Sequence, residues 1–143
     1  MTVYKELEDG SKTFTTIDLM KIDYVESENR KLVYYINGDR YFQITKLQEM
    51  ESLLNEKNGF VSLDRSNLVN LQNVMEYDQE FGKIYFEENP SRKSVFATIA
   101  KMKQKLLDPL IYRAIAKNRD TQLEHGVSKH NSSSTYQPRN ERI

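Results

Sequence analysis

The sequence predicts a mainly β fold with short helices and one longer helix at the C-terminal side. Three observations predict it. Short runs rich in β-branched and aromatic residues recur before residue 98, as at Leu32-Val33-Tyr34-Tyr35-Ile36, and such residues suit a pleated, half-buried surface. Turn residues separate these runs, above all Asn37-Gly38-Asp39, because Asn-Gly tolerates the positive φ that a tight hairpin requires. From Ile99 the apolar residues change to a helical period.

Taken in order, Val3–Leu7 is an opening strand, and Asp9-Gly10-Ser11 turns the chain into a second strand at Lys12–Thr16. Ile17–Ile22 has room for one helical turn, capped by Thr16 or Asp18. Tyr24–Ser27 and Leu32–Ile36 are strands, and Tyr41–Thr45 returns antiparallel after the Asn-Gly turn. Thr45 can cap a helix carrying Leu47, Met50, Leu53 and Leu54 at helical spacing, with Gly59 as its left-handed end. Phe60–Leu63, Leu68–Leu71, Val74–Tyr77, Lys83–Phe86 and Ser94–Thr98 are short strands, with Asn89-Pro90-Ser91 as a turn. Ile99, Met102, Leu106 and Leu107 then share one side of a helix, with Lys101, Lys103 and Lys105 on the other. Pro109 is expected to break or kink it, with Leu110, Ile111, Ala114 and Ile115 in a second helical piece. The expected organisation is one domain over 1–108, a helical extension over 109–118, and a disordered polar tail over 119–143.

Composition limits the function classes. The 143 residues hold no cysteine, which removes disulfides, cysteine-ligated zinc and cysteine nucleophiles. No apolar run approaches the roughly 20 residues that span a bilayer, and the first ten residues lack a signal-peptide core, so a cytoplasmic protein is expected. Lys plus Arg and Asp plus Glu are 21 each, giving zero net charge. Beyond residue 112 six cations face three anions, 6 − 3 = +3, so the remainder carries 15 − 18 = −3. Any nucleic-acid surface must therefore be a local patch on a mildly acidic body.

Phe60-Val61-Ser62-Leu63-Asp64-Arg65-Ser66-Asn67-Leu68-Val69-Asn70-Leu71 resembles the central motif of the LytTR family of bacterial DNA-binding domains, approximately Phe-x-Arg-Val-His-Arg-Ser-Tyr-Leu-Val-Asn. Ile22-Asp23-Tyr24-Val25-Glu26-Ser27 is similar to the family's Ile-x-Tyr-Ile-Glu strand, and Leu47–Leu54 stands where the family has its Leu-x-Glu-Leu helix. The resemblance covers residues 3–107 with all three segments in order. It implies stacked small antiparallel sheets plus a C-terminal helix, with loops inserted into successive DNA grooves.

The resemblance also implies where DNA is read. One loop follows the Tyr-Ile-Glu strand and here carries Asn29, Arg30 and Lys31; the second is Asp64-Arg65-Ser66; the third is Thr98-Ile99-Ala100-Lys101. The expected DNA-binding residues are Arg30, Lys31, Arg65, Ser66, Thr98 and Lys101. The planar fork of Arg can bond a guanine edge or a phosphate bidentately, and the Ser66 and Thr98 hydroxyls can hold phosphates. Two departures stand out. Asp64 replaces the family's His, putting a carboxylate where phosphate approaches, and Ala100 stands where an Arg is expected. Many of the family's regulators carry an N-terminal receiver domain; this sequence starts at the binding domain, so control through its own receiver is not expected.

Each of these residues also has a plainer reading. Arg65 can pair with Asp64 or Glu76 and serve only the fold. Arg30 and Lys31 can be solvated turn charges. Asn70 is expected to bond backbone, Lys103 and Lys105 to be the wet side of a helix, and Arg92-Lys93 to be solvated. The tyrosines in strands are core residues more often than base-stacking platforms. An enzyme is not expected: no glycine-rich phosphate loop or zinc-ligand spacing is present, and His125 and His130 fall in the polar tail. No metal or cofactor is expected.

The leading functional expectation is sequence-specific binding of double-stranded DNA by a transcription regulator, at paired direct repeats, with the basic tail adding a salt-sensitive attraction. Residues 99–116 are an expected contact for a homodimer or a separate sensor protein. The alternative is a protein of this type that has lost specific reading and binds a protein partner as antagonist or adaptor. The first needs Arg30, Arg65 and Lys101 on one side of the fold. The second needs an exposed apolar patch along the C-terminal helix.

Overall fold

The computed structural model describes residues 1–51 and 53–131, with side chains to residue 121. Ten strands form two antiparallel sheets. Seven strands lie in the order β2-β1-β5-β4-β3-β7-β6, and three in the order β10-β9-β8. The strands of the first are β1 (Thr2–Glu6), β2 (Lys12–Thr16), β3 (Tyr24–Glu28), β4 (Lys31–Ile36), β5 (Asp39–Gln43), β6 (Phe60–Val61) and β7 (Asn67–Asn70). The second holds β8 (Glu76–Asp78), β9 (Lys83–Tyr85) and β10 (Phe96–Thr98). A short helix α1 (Leu47–Met50) precedes β6, and a long helix α2 (Lys101–Asn131) follows β10. The mainly β fold with a C-terminal helix is the class the sequence predicts.

The central strand β4 shows why its apolar run does not alternate with polar residues. Val33 and Tyr35 enter one core cluster, whereas Leu32 and Tyr34 enter the other. Both faces of the seven-stranded sheet are therefore covered at its centre, and a strand buried on both faces reads as a continuous apolar stretch. One cluster packs Tyr4, Tyr24, Val69 and Phe42 against Ile84 and Ala97 of the small sheet and Ile111 and Ile115 of α2. The other packs Val3, Val25, Phe60 and Leu68 under Ile17, Ile22, Met50 and Leu54. Tyr4, Tyr24, Tyr34 and Tyr35 are buried, and the Tyr24 and Tyr35 rings stack with centroids 4.3 Å apart. These tyrosines are core, as the plainer reading had it.

The turns follow the local chemistry. Ile36 pairs with Asp39, leaving Asn37-Gly38 as a two-residue loop with positive φ at both positions. Asp18 accepts from the Met20 amide at 3.0 Å and caps the 3-10 turn Leu19–Lys21. Thr45 does not cap α1: its hydroxyl bonds the Glu49 carboxylate, and α1 closes after one turn. The chain then makes a separate 3-10 turn, Glu56–Asn58, capped by Asn55 and ended by Gly59 at φ 88°. One helix over this region was expected; two short turns stand there instead.

Helix α2 differs most from expectation. Pro109 lacks the amide that would bond the Lys105 carbonyl, yet the helix runs through it. Anchors on both sides hold it. Asp108 accepts from the Tyr77 hydroxyl at 2.5 Å and from the Gln79 side chain at 2.6 Å. Ile111 and Ile115 are buried one and two turns further on. Asn118 donates to the Leu71 and Val74 carbonyls at 2.8 and 2.7 Å, and Arg119 donates to the Met75 carbonyl and the Glu76 carboxylate. Helix α2 is described through Asn131, and residues 132–143 of the expected tail lie outside the described residues. No described helix is long and apolar enough to cross a membrane.

Candidate nucleic-acid interface

Three segments far apart in sequence meet at one end of the large sheet. The β3–β4 hairpin tip is Asn29-Arg30, both at positive φ, 49° and 67°, which is the two-residue loop that the Glu28–Lys31 pairing requires. Its base is tied to the central turn, because the Ser27 amide donates to the Ser66 carbonyl at 2.9 Å. The start of α2 is tied to the same turn, since the Ala100 amide donates to the Leu63 carbonyl at 2.8 Å.

Two buried or half-buried polar side chains lock the central turn. The Asn67 carbonyl oxygen accepts from the Leu63 and Asp64 amides at 3.1 and 3.0 Å, and its amide donates to the Thr98 carbonyl at 2.9 Å. Asp64 accepts from the Ser66 amide at 2.8 Å, from the Ser66 hydroxyl at 3.1 Å, and from the Thr98 hydroxyl. A carboxylate accepting three donors is well satisfied. Asp64 thereby ties the turn to the end of β10.

A concavity of about 810 Å³ opens in front of this lock. Arg30, Arg65, Ser66 and Ala100 line it, together with Ser27, Thr45, Lys46 and Gln48. Arg30, Lys46 and Arg65 are exposed, and none of the three forms an ion pair among the described residues. Glu51 and Asp64 are the acids of the lining. Behind it, burial pushes the Glu26 carboxyl above its usual range, with Glu28 and Asp64 adding to the effect.

The structure brings together Arg30, Arg65 and Ser66, and Lys101 is exposed on the residue next to Ala100. It does not bring the rest. The Lys31 ammonium lies 4.5 Å from the Phe42 ring centroid, on the side of β4 that carries Val33 and Tyr35, and it does not line the concavity. The Ser66 and Thr98 hydroxyls both donate to the Asp64 carboxylate. Among the described residues Arg65 forms an ion pair with neither Asp64 nor Glu76, and Glu76 pairs with Arg119 at 2.9 Å.

Two participants were missed. Lys46 enters the concavity from the link between β5 and α1, and no motif marks it. Asn67 was missed within the central motif, although a polar residue opening a short strand ahead of Leu68-Val69 is a signal of a buried hydrogen-bonding role. Asn70 behaves as expected, bonding backbone at the Ile22 carbonyl and the Gln72 amide.

The profile of the LytTr DNA-binding domain matches residues 12–107. Among solved structures, a LytTr DNA-binding domain from Bacillus cereus is similar to this chain, with 18% identity and a TM-score of 0.54, over 77% of this chain and 95% of that one. At that identity the likeness concerns the fold. No curated protein matches the chain.

Proposed function

The chain belongs to the LytTr DNA-binding domain family, and from that premise we propose that it is a transcription regulator reading double-stranded DNA by sequence. The observation that carries this reading is the convergence of Arg30, Lys46 and Arg65 on one concavity with no ion-pair partner among the described residues. Unpaired guanidinium groups at one rim are what bidentate contact with base edges or phosphates needs. Their grouping also accounts for a neutral chain acting on a polyanion, because the positive charge is local.

The roles divide by geometry. Arg30 and Arg65 read bases or clamp phosphates, and Lys46 and Lys101 supply charge at the rim. Asp64, Asn67, Ser66 and Thr98 hold the central turn at a fixed distance from both neighbouring loops. Lys31 acts on the sheet rather than on DNA. Binding takes place in the cytoplasm at paired direct repeats, where two copies gain from effective concentration. The grouping of two arginines and a lysine that make no salt bridge among the described residues, at the convergence of these loops, favours DNA reading over the protein-partner alternative.

Fluorescence anisotropy with DNA from upstream of the chain's own coding region, against a scrambled duplex at two salt concentrations, tests this reading. At least tenfold preference for the first duplex is expected, weakening with salt and falling on the order of 10-fold or more in Arg65→Ala. Equal, weak binding of both duplexes, untouched by Arg65→Ala, would overturn it.

A further inference from the structure

The solvent side of α2 carries an apolar stripe that the fold does not use. Met102 is 94% exposed and Leu106 80% exposed, with Leu110 at 37% one turn further. Residues at i, i+4 and i+8 lie along one face of a helix, and exposed Pro109 lies beside them. Leu107, Ile111 and Ile115 look the other way, into the body. The sequence reading put Met102 and Leu106 on one side with Ile99 and Leu107; in the fold Met102 and Leu106 form a second, exposed face.

The charge on that face has one sign. Lys101, Lys105 and Arg113 are exposed around the stripe. The acid of this stretch, Asp108, turns inward to Tyr77 and Gln79. An apolar line flanked by cations is complementary to an amphipathic helix with an apolar line flanked by Asp and Glu. We infer that the 101–113 face of α2 docks an acidic, amphipathic helical segment of a partner protein.

Other occupants fit less well. A second copy packing face to face would bring Lys101, Lys105 and Arg113 against the same cations, which opposes association. The chain's own residues 132–143 offer Arg139 and Arg142 against Glu141, a net +1 that does not complement the face. DNA phosphates match the cations but not the two most exposed apolar side chains between them. At 1.5 Å per residue, α2 carries Arg113 about 20 Å along its axis from Ala100, away from the concavity.

The test uses the full chain and a labelled synthetic helical peptide with Leu at i, i+4 and i+8 and Glu on both flanks, beside a scrambled peptide of the same composition. The variant Met102→Gln/Leu106→Gln changes exposed side chains without changing charge, and far-UV circular dichroism reports its fold. The expected result is micromolar binding of the ordered peptide, at least tenfold tighter than the scrambled one and at least tenfold weaker in the variant. Duplex binding by the variant should stay within about twofold. Equal binding of both peptides, or no loss in the variant, would overturn the proposal in favour of charge alone. A concentration-dependent dimer that dissociates in the variant would overturn it in favour of a second copy, and loss of duplex binding in the variant would assign the face to DNA. The DNA reading above stands or falls separately, by Arg65→Ala.

Discussion

The Thr98 hydroxyl donates to the Asp64 carboxylate across 34 positions of sequence, joining the end of β10 to the turn that carries Arg65. The same carboxylate holds Ser66. One acidic side chain, which read in sequence as a repulsive intruder at a DNA surface, is thereby the tie between two of the three loops that frame the concavity.

Two opposite outcomes separate these views of Asp64. If it repelled phosphate, Asp64→Ala would tighten DNA binding. As a tie, its loss should weaken DNA binding and lower stability by about 1–3 kcal/mol, because partly buried donors lose their acceptor. Thr98→Val removes the same bond from the other end. In a double-mutant cycle by denaturant unfolding, Asp64→Ala and Thr98→Val should couple by roughly 0.5–3 kcal/mol. Strict additivity would show that the two residues act independently.

Arg30 occupies a backbone position at φ 67°, where a side chain beyond glycine or asparagine costs roughly 1–2 kcal/mol. Strain kept at a turn that lines the concavity points to use of the side chain. Arg30→Gly should therefore move two quantities in opposite directions: stability up by about 1 kcal/mol, and duplex affinity down by about tenfold. Lys31→Ala, one residue on, should leave duplex affinity within about twofold. A drop for Lys31 as large as that for Arg30 would contradict the placement of Lys31 over Phe42.

How much of this was legible in the sequence depends on the range of the interactions. Strands and two-residue turns were readable because their causes are local: Asn37-Gly38 needs only its own φ preferences, and Lys12–Thr16 only its composition and the turn before it. The convergence of Arg30 with Arg65 was readable only through the resemblance, since the β3–β7 pairing that brings them near depends on sheet register. Lys46 was not readable at all: its place at the rim follows from where α1 packs, not from its neighbours in sequence. A helical extension over 109–118 was legible, but its continuity across Pro109 was not, because the proline is a local signal whereas Asp108, Asn118 and Arg119 are held by β8 and the segment before it. Tertiary anchoring overrode propensity there.

Asp23 makes stability depend on pH. It is buried at 9% exposure, accepts from the Asn73 side chain at 3.0 Å and the Asn37 amide at 3.3 Å, and burial raises its carboxyl from 3.8 to about 6. Between those values the folded state binds more protons than the unfolded chain, so this group's contribution is full at about pH 4 and is lost as pH rises through 6. The span corresponds to at most about 3 kcal/mol. Urea unfolding across pH 4–8 should show that decline, and Asp23→Asn should flatten it. An unchanged profile in the variant would assign the pH dependence to other groups.

Pro109 offers the last test, on α2 itself. A proline inside a helix costs about 3 kcal/mol relative to alanine through the missing hydrogen bond and ring contact, and its stiffening of the unfolded chain returns up to about 1 kcal/mol. Pro109 is exposed, so replacing it opens no core cavity. Pro109→Ala should then raise stability by roughly 1–2 kcal/mol in urea unfolding while Asp108 keeps its bonds to Tyr77 and Gln79. A fall in stability would mean that Pro109 itself sets how Leu107 and Ile111 reach the core on either side of it. In that case the proline would be a positioning element for the helix face between Met102 and Arg113, and peptide binding to that face should weaken with it.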